Sequence, residues 1–353
     1  MMAKSFKLGN WICTFYWGKN TLPTVKIKRI KTFPEGAEKS VPSFLFILNL
    51  IIYNEIMSKK LSKLIVILGP TAVGKTELAV KLAKKFKGEI VSTDSRQVYK
   101  EMSIGTARPT KKETEGIPYY LIDVVYPKEE FNVAIYKKLA VQKIKEIQKQ
   151  EKLPFLVGGT GLYIRSVVDN IEFPKVLPQK KLREKLEKKT KKELFKVYKK
   201  LDPIGAKFID KENKRRLIRA IEVCKITKKS FWEQRKKGEP LFVILQIGIR
   251  LPKNKLKKRI KKRTEKMFKE NLEKEVKLLI KKYGWIPSLQ TIGYQEWKDY
   301  FEEKTKRDEV KEKIVLHTLQ FAKRQITWFK RDKRIHWIKN YREVEKLIKK
   351  FLN

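Results

Sequence analysis

The chain contains 353 residues, of which 41% are hydrophobic and 35% are charged, so it is long enough for one large hydrophobic core or two ordinary ones. Lys and Arg number 85 against 39 for Asp and Glu, giving a formal net charge of +46. This excess indicates an acidic polymer as partner, although solvated lysine-rich helix faces would give the same composition. Two cysteines, Cys13 and Cys224, and two histidines exclude a disulfide framework and a zinc cluster, and they favour a cytoplasmic protein.

Residues 1–56 differ in sequence pattern from the rest of the chain, because their aromatic and basic residues follow no clean period. Their most apolar stretch, 43–53 (SFLFILNLIIY), has 11 residues, whereas a membrane span needs about 20. The stretch also lies too far from the start to be a signal peptide, and no small-residue cleavage site follows it. The segment carries 8 basic and 3 acidic residues, which leaves +41 on 57–353. We therefore expect a natural start at Met57, an N-terminal extension outside the fold at 1–56, and no membrane segment.

From residue 57 onward, apolar runs typical of buried strands alternate with segments of helical period. The first run, 64–68 (LIVIL), contains only branched apolar residues, and the helix that follows places Leu78, Ala79, Leu82 and Ala83 on one face. Strands that alternate with helices predict a parallel sheet. The predicted strands are 64–68, 89–92, 119–125, 154–157 and 243–250, and the predicted helices between them are 76–86 and 133–150.

Beyond residue 174 the sequence changes to lysine-rich helical segments, and it returns to a strand at 243–250. The predicted fold class is therefore α/β, with a parallel-sheet core formed by 57–171 and 236–353. A helical insertion at 172–235 interrupts this core, and the last part of the core is helical.

A phosphate-loop pattern, G-x-x-x-x-G-K-[ST], lies between the first strand and the first helix, the context that this motif requires. Its glycines allow the backbone amides to surround a diphosphate, its lysine neutralises the bridging oxygens, and its last hydroxyl can bind Mg²⁺. The pattern does not distinguish ATP, GTP and another diphosphate, but it makes the core P-loop NTPase-like. The predicted diphosphate-binding or nucleotide-binding residues are Gly69, Pro70, Thr71, Ala72, Val73, Gly74, Lys75 and Thr76.

Two further segments follow predicted strands at the same sheet edge. Asp94 comes directly after the second strand, where its carboxylate can take a proton or bind a metal through water, or can cap a helix instead. The glycine-rich segment 158–161 (GGTG) follows the fourth strand. It is either part of the same site or an ordinary turn.

The phosphate loop and Asp94 belong to the first two of seven short motifs that follow one another along 64–338. The motifs are GPTA and GKT within 69–76, DSRQVY at 94–99, GTARP at 105–109, GGTGLY at 158–163, RRLIRAIEV at 215–223, IGY at 292–294 and AKRQITWF at 322–329. In this order they resemble the tRNA dimethylallyltransferase family, in its bacterial form. Its members transfer a dimethylallyl group from dimethylallyl diphosphate to the exocyclic amine of the adenosine just 3′ of the tRNA anticodon.

The resemblance implies a role for each group near the loop. The leaving diphosphate is expected under Lys75, Mg²⁺ and an arginine, for which Arg263 is the best match and Arg259 the alternate. Asp94 matches the general base that takes the proton of the amine. The implied catalytic residues are Asp94, Thr71, Arg263 and Lys75, the implied metal ligand is Thr76, and the implied cofactor is Mg²⁺.

The resemblance also implies contacts with the tRNA anticodon stem-loop, whose target base is flipped out into a pocket. Gly293-Tyr294 and Trp328 are candidates for base stacking or for shaping the loop, and Trp328 is alternatively a core residue. The implied tRNA-binding residues are Asp94, Ser95, Arg96, Gln97, Thr160, Arg183, Arg215, Arg216, Leu217, Ile218, Arg219, Thr291, Ile292, Gly293, Tyr294, Gln295, Glu296, Arg324, Gln325, Ile326, Thr327 and Trp328.

Two departures from the family pattern are Val73, where a small residue is usual, and the pair Tyr119-Tyr120, where histidines are frequent. Neither removes a group that the chemistry requires. A small-molecule kinase of the same fold, an adenylate isopentenyltransferase and a nucleotide-driven RNA-binding switch are the alternatives; the basic motif at 322–329 argues against the second. We expect a monomeric, cytoplasmic enzyme whose partners are dimethylallyl diphosphate and tRNA.

Overall fold

The structure of the chain is a computed structural model. It describes residues 61–234, 236–338 and 340–353 in full, and the backbone of 2–8, 11–18 and 21–29. The chain divides into two compact units, Met1–Lys60 and Leu61–Asn353. The predicted apolar run at 43–53 and the predicted start at Met57 lie outside the described residues.

The first unit contains a three-stranded antiparallel sheet. Its strands are β1 (Met2–Leu8), β2 (Trp11–Gly18) and β3 (Thr21–Arg29), in the order β1-β2-β3. No strand was predicted for this segment, because its aromatic and basic residues follow no clean period. That 1–56 is an extension outside the enzyme fold stays a prediction.

The second unit is built on a six-stranded sheet in which every pair of neighbouring strands is parallel. Its order is β6-β5-β7-β4-β8-β9, so the predicted parallel α/β fold class is confirmed. The central position of β4 explains why its sequence is a continuous apolar run: both of its edges and both of its faces are covered. The strands are β4 (Lys63–Leu68), β5 (Gly88–Ser92), β6 (Tyr119–Tyr120), β7 (Leu153–Gly158), β8 (Val243–Ile249) and β9 (Ile335–Ile338).

The pleat of β4 divides its side chains between two hydrophobic layers. Leu64 and Val66 pack with α3 (Val133–Lys149) and α4 (Gly161–Val168) on one face. Ile65 packs with α1 (Lys75–Lys85) and the C-terminal helix on the other face. This double cover buries both faces of the sheet and leaves its carboxyl edge open for loops.

Two strands differ from the prediction. The strand predicted at 119–125 ends after Tyr120, because Leu121 and Asp123 adopt positive φ angles of 60° and 53°, which no strand accommodates. The short edge strand β9 was not predicted, because it lies in a basic segment without an apolar run.

A helical segment with its own core interrupts the second unit. It contains α5 (Lys180–Glu187), α6 (Lys191–Leu201) and α7 (Lys214–Thr227). Leu194, Tyr198, Leu217 and Ile221 are fully buried among these helices. An isolated antiparallel bridge between Ile171 and Lys237 joins the two ends of the segment.

The helices after β8 form a further core around the buried Trp297 and Val310. No helix of the described residues is long and apolar enough to cross a membrane. The helices that complete the unit are α2 (Lys111–Thr114), α8 (Lys253–Lys269), α9 (Leu272–Tyr283), α10 (Lys298–Phe301), α11 (Arg307–Phe329) and α12 (Tyr341–Leu352).

Candidate active site at the carboxyl edge of the sheet

The phosphate loop connects β4 to α1 with the backbone geometry that its glycines allow. Gly69 and Gly74 have φ angles of +152° and +98°, and a Cβ added at Gly69 would lie 2.4 Å from the carbonyl oxygen of Ile249 at the end of β8. The first turn of α1 has no side-chain cap, so its amides remain available to an anion. The loop can therefore bind a diphosphate in the manner that the motif predicts.

Lys75 turns its ammonium group onto the loop itself. Its Nζ donates to the carbonyl oxygens of Gly69 at 3.0 Å and Pro70 at 2.7 Å. Burial lowers the pKa of Lys75 to about 7; the Asp94 carboxylate opposes this shift and Arg263 adds to it. Near neutral pH the side chain is therefore divided between the charged and the neutral form, and a bound anion would favour the charged form.

Two arginines of α8 reach the loop from the other side. Arg259 NH1 donates to the carbonyl oxygen of Val73 at 3.0 Å, and Arg263 NH1 donates to Thr71 Oγ1 at 2.8 Å. They lie one helical turn apart and therefore on the same face of α8. Burial lowers the pKa of Arg263, whose Nε has no hydrogen-bond partner in the described part of the chain. Of the two arginines considered for the leaving diphosphate, Arg263 is the one that hydrogen-bonds the predicted catalytic residue Thr71.

Asp94 lies where β5 ends and serves two purposes. Its Oδ1 accepts from the backbone N–H of Arg96 at 2.8 Å and of Gln97 at 3.3 Å, which closes a turn. No helix begins at Asp94, so the helix-capping alternative is wrong. Its Oδ2 has no hydrogen-bond partner among the residues that the structure describes. The carboxylate raises the pKa of both Lys75 and Arg263, which places it on the side of the phosphate loop.

Hydrogen bonds connect the loops at this edge to one another. Gln97 Nε2 donates to the carbonyl oxygens of Thr106 and Ala107, both at 3.2 Å, and Arg263 NH2 donates to that of Thr106 at 3.3 Å. The backbone N–H of Ser95 donates to Thr160 Oγ1 at 3.2 Å. The segments 94–97, 105–107 and 158–161 are thus held in one arrangement with the phosphate loop.

Glu275 is a site residue that the sequence analysis missed. Its carboxylate on α9 accepts from the backbone N–H groups of 103–105 at 2.8–3.1 Å and from the hydroxyl of Tyr294 at 2.7 Å. The Tyr294 ring is fully buried directly against Gly105. Glu275 shapes the loop whose Thr106 carbonyl oxygen accepts from Arg263, but α9 carries no motif that would have revealed it.

Tyr119, in the pair that departs from the family pattern, lies near the phosphate loop. Burial raises its pKa above the usual range, while a hydrogen bond with the Thr76 side chain opposes the shift. Tyr119 is therefore neutral and lies near the predicted metal ligand. No three His, Cys, Asp or Glu side chains of the described residues form a metal cluster. The Thr76 hydroxyl is an oxygen ligand of the kind that Mg²⁺ accepts, together with phosphate oxygens and water.

The predicted tRNA-binding residues of the insertion do not all face solvent. Leu217 and Ile218 are buried in its core, so their side chains are not available to RNA, because the helix period turns them inward. Arg183 and Arg219 both bind the buried carboxylate of Glu222, at 2.8 Å and 2.6 Å. The exposed faces of these arginines stay predicted contacts. In the same stretch, Arg215 NH2 donates to Gln290 Oε1 and the backbone N–H of Arg216 donates to the Asn213 side chain.

In the C-terminal half, too, some of the predicted tRNA-binding residues are buried and others are exposed. Tyr294 and Glu296 are buried, and Glu296 accepts from the backbone N–H of Gly293 at 2.9 Å. Stacking of a base on Tyr294 is therefore wrong for this structure, whereas the loop-shape alternative agrees with the packing of its ring against Gly105. Thr291 and Ile292 are half-buried and Gln295 is exposed. Ile326 packs on the core near α8. A cavity of about 420 Å³ is lined by Gln320, Lys323, Arg324, Thr327, Trp328 and Arg331.

Taken together, an uncapped phosphate loop, one carboxylate and neighbouring cations define an α/β enzyme that acts on an anionic group at the carboxyl edge of its sheet. Comparison with known proteins gives the family. The family model described as IPP transferase matches residues 97–332. The tRNA dimethylallyltransferase of Carboxydothermus hydrogenoformans is 42% identical over 299 residues, which cover 82% of this chain and 96% of that protein.

Solved structures agree with this match. The full-length tRNA isopentenylpyrophosphate transferase of Bacillus halodurans has a TM-score of 0.62 at 35% identity, covering 82% of this chain and 95% of that one. A eukaryotic dimethylallyltransferase acting on tRNA has a TM-score of 0.67 at 28% identity, covering 76% of this chain and 69% of that one. The chain belongs to the tRNA dimethylallyltransferase family, and the resemblance seen in its motifs is confirmed.

The state of Lys75 leads to a prediction about pH. Below pH 7 the free lysine is charged and ready for an anion, whereas above pH 7 it must first gain a proton. The affinity of the full chain for inorganic pyrophosphate should therefore fall as the pH rises, by up to about tenfold per unit. Titration calorimetry at pH 8, in two buffers of different ionisation enthalpy, should show proton uptake on binding.

The matched control is Lys75→Arg, whose guanidinium stays charged throughout this range. Both proteins share the titration of pyrophosphate itself, so the difference between them isolates Lys75. Equal proton uptake by the two proteins would contradict the assignment.

Proposed function

We propose that this protein transfers the dimethylallyl group of dimethylallyl diphosphate to the exocyclic amine of the adenosine 3′ of the anticodon in tRNA. The products are N6-dimethylallyladenosine and diphosphate. Family membership supports the reaction, and the position of Asp94 is the observation that carries it. Asp94 has a carboxylate oxygen without a hydrogen-bond partner among the described residues, and it is near enough to raise the pKa of both Lys75 and Arg263. The site thus combines a base and an anion site, which a displacement with a diphosphate leaving group requires.

In this reaction the amine nitrogen forms a bond with the allylic carbon while the bond from that carbon to the diphosphate oxygen breaks. Negative charge accumulates on the leaving diphosphate, where Lys75 and Arg263 stabilise it. Arg263 already bonds Thr71 Oγ1 at 2.8 Å, so Thr71 fixes the direction of the guanidinium. Bound Mg²⁺ would supply further positive charge, held by the Thr76 hydroxyl and phosphate oxygens.

The amine loses a proton as it attacks, and Oδ2 of Asp94 accepts it. Oδ1 is occupied by the backbone N–H groups of Arg96 and Gln97, so the turn stays in place while the other oxygen changes its protonation state. One side chain thereby maintains the loop and acts as the general base.

The substrate RNA would bind through cationic and aromatic side chains on the exposed side of α11. Trp328 is 37% exposed and shares its cavity with Arg324 and Arg331, which suits stacking and phosphate contacts. The net charge of +46 supports a polyanionic partner. We further propose that the protein acts as a monomer in the cytoplasm on the anticodon stem-loop of tRNA.

The direct test incubates the full chain with unmodified tRNA, Mg²⁺ and dimethylallyl diphosphate. Mass spectrometry of the digested RNA should show a prenylated adenosine next to the anticodon. Free adenosine monophosphate serves as the competing acceptor, and γ-labelled ATP as the competing donor. Prenylation of the mononucleotide alone would indicate an adenylate isopentenyltransferase, and transfer of label would indicate a kinase.

The role of Asp94 is tested by Asp94→Asn. The amide oxygen still accepts from the backbone N–H of Arg96 and Gln97, so the turn is kept, but the side chain no longer accepts a proton. The turnover number should fall by about 10² to 10⁴, with tRNA affinity in a filter-binding assay unchanged. Undiminished single-turnover transfer by the variant would refute the assignment of the base.

A further inference from the structure

Gln325 points away from the surface on which its neighbours lie. Lys323, Arg324 and Thr327 are exposed on α11, whereas Gln325 is only 7% exposed. The resemblance implied tRNA contacts for 324–328, which include Gln325. The helix period instead turns Gln325 toward the sheet, so its side chain has partners inside the protein.

Both ends of the Gln325 amide are used at the edge of the sheet. Its Oε1 accepts from the backbone N–H of Thr71 at 2.8 Å, and its Nε2 donates to the carbonyl oxygen of Gly159 at 2.8 Å. The partners determine the orientation of the amide, because an N–H only donates and a carbonyl oxygen only accepts. Gln325 therefore joins the phosphate loop to the glycine-rich loop after β7.

The hydrogen bonds of Gln325 leave no space for a side chain at Gly159. A Cβ added at Gly159 would lie 2.3 Å from Gln325 Nε2 and 3.2 Å from the carbonyl oxygen of Gly69. The lack of a side chain at Gly159 thus lets the amide approach both loops. It also supplies a reason for the glycine that does not involve a ligand.

Thr71 is held from two directions as a result. Its N–H is bound by Gln325, and its hydroxyl accepts from Arg263 NH1 at 2.8 Å. A loop residue fixed at both its backbone and its side chain keeps the guanidinium aimed at the diphosphate position. Without the amide, the adjoining Ala72, which has a positive φ of 62°, could relax and move Thr71.

We propose that Gln325 is a positioning residue for the binding and departure of diphosphate. It acts by hydrogen-bonding the backbone of Thr71 and of Gly159 at the same time, and it makes no contact with tRNA. The inference rests on the proposed function and deepens it. It also makes α11 the physical link between the RNA-facing surface and the phosphate loop, since Trp328 of the same helix lies against Gly161.

The test compares Gln325→Glu and Gln325→Met in the full chain. At pH 8 the glutamate keeps an acceptor for Thr71 N–H, but it repels the carbonyl oxygen of Gly159; the methionine makes neither bond. For both variants we expect kcat/KM for dimethylallyl diphosphate to fall by about 10- to 100-fold, and pyrophosphate affinity to fall with it. The Kd for tRNA should stay within about twofold of wild type.

A pH profile separates positioning from general packing. A glutamate beside a carbonyl oxygen becomes protonated easily and then donates like the amide. Relative to wild type, Gln325→Glu should therefore recover to within about threefold at pH 6, whereas Gln325→Met should not recover. The matched control is Gln142→Glu, the same change at an exposed position of α3, which should leave all parameters unchanged.

Each other outcome overturns the proposal. Loss of tRNA affinity with unchanged pyrophosphate affinity would make Gln325 an RNA contact, and unchanged parameters would remove any role. A lowered melting temperature with equal loss of both ligands and no recovery at pH 6 would reduce it to a packing residue. If wild type transfers no prenyl group, the proposed function fails, but pyrophosphate binding by the variants still tests whether Gln325 positions the phosphate loop.

Discussion

Desolvation of two cations near the Asp94 carboxylate is the constraint on which the rest of this structure depends. Burial lowers the pKa of Lys75 and of Arg263, and Asp94 offsets only part of that shift. Charges held in this way cost free energy unless further negative charge arrives. The site is therefore arranged for an anion, and its electrostatics are complementary to a leaving diphosphate before any substrate is present.

The parallel sheet supplies the positions, and the helical half supplies the side chains that hold them. Strands that run in one direction end at one edge, so the loops after β4, β5 and β7 meet there. Helices α8, α9 and α11 then place Arg263, Glu275 and Gln325 against those loops. The C-terminal half is thus part of the candidate anion site.

The sequence and the structure agree best where function depends on short local patterns. The phosphate loop and Asp94 were found from motifs next to apolar strands, and the central strands matched closely because their cover on both faces leaves a continuous apolar run. Agreement was poorer at 119–125, where residues with positive φ end the strand, and at Tyr294 and Gln325. Both side chains belong to motifs with exposed neighbours, yet both are buried.

The sequence by itself determined the class of fold, the anion loop and the lone carboxylate, because these follow from hydrophobic period and from glycine, lysine and aspartate at fixed local spacing. Only the tertiary structure decided which arginine holds Thr71, and that Glu275 and Gln325 join the loops. The partners of Gln325 lie 166 and 254 positions away. Contacts at such separations depend on how the helices pack against the sheet, which no local pattern records.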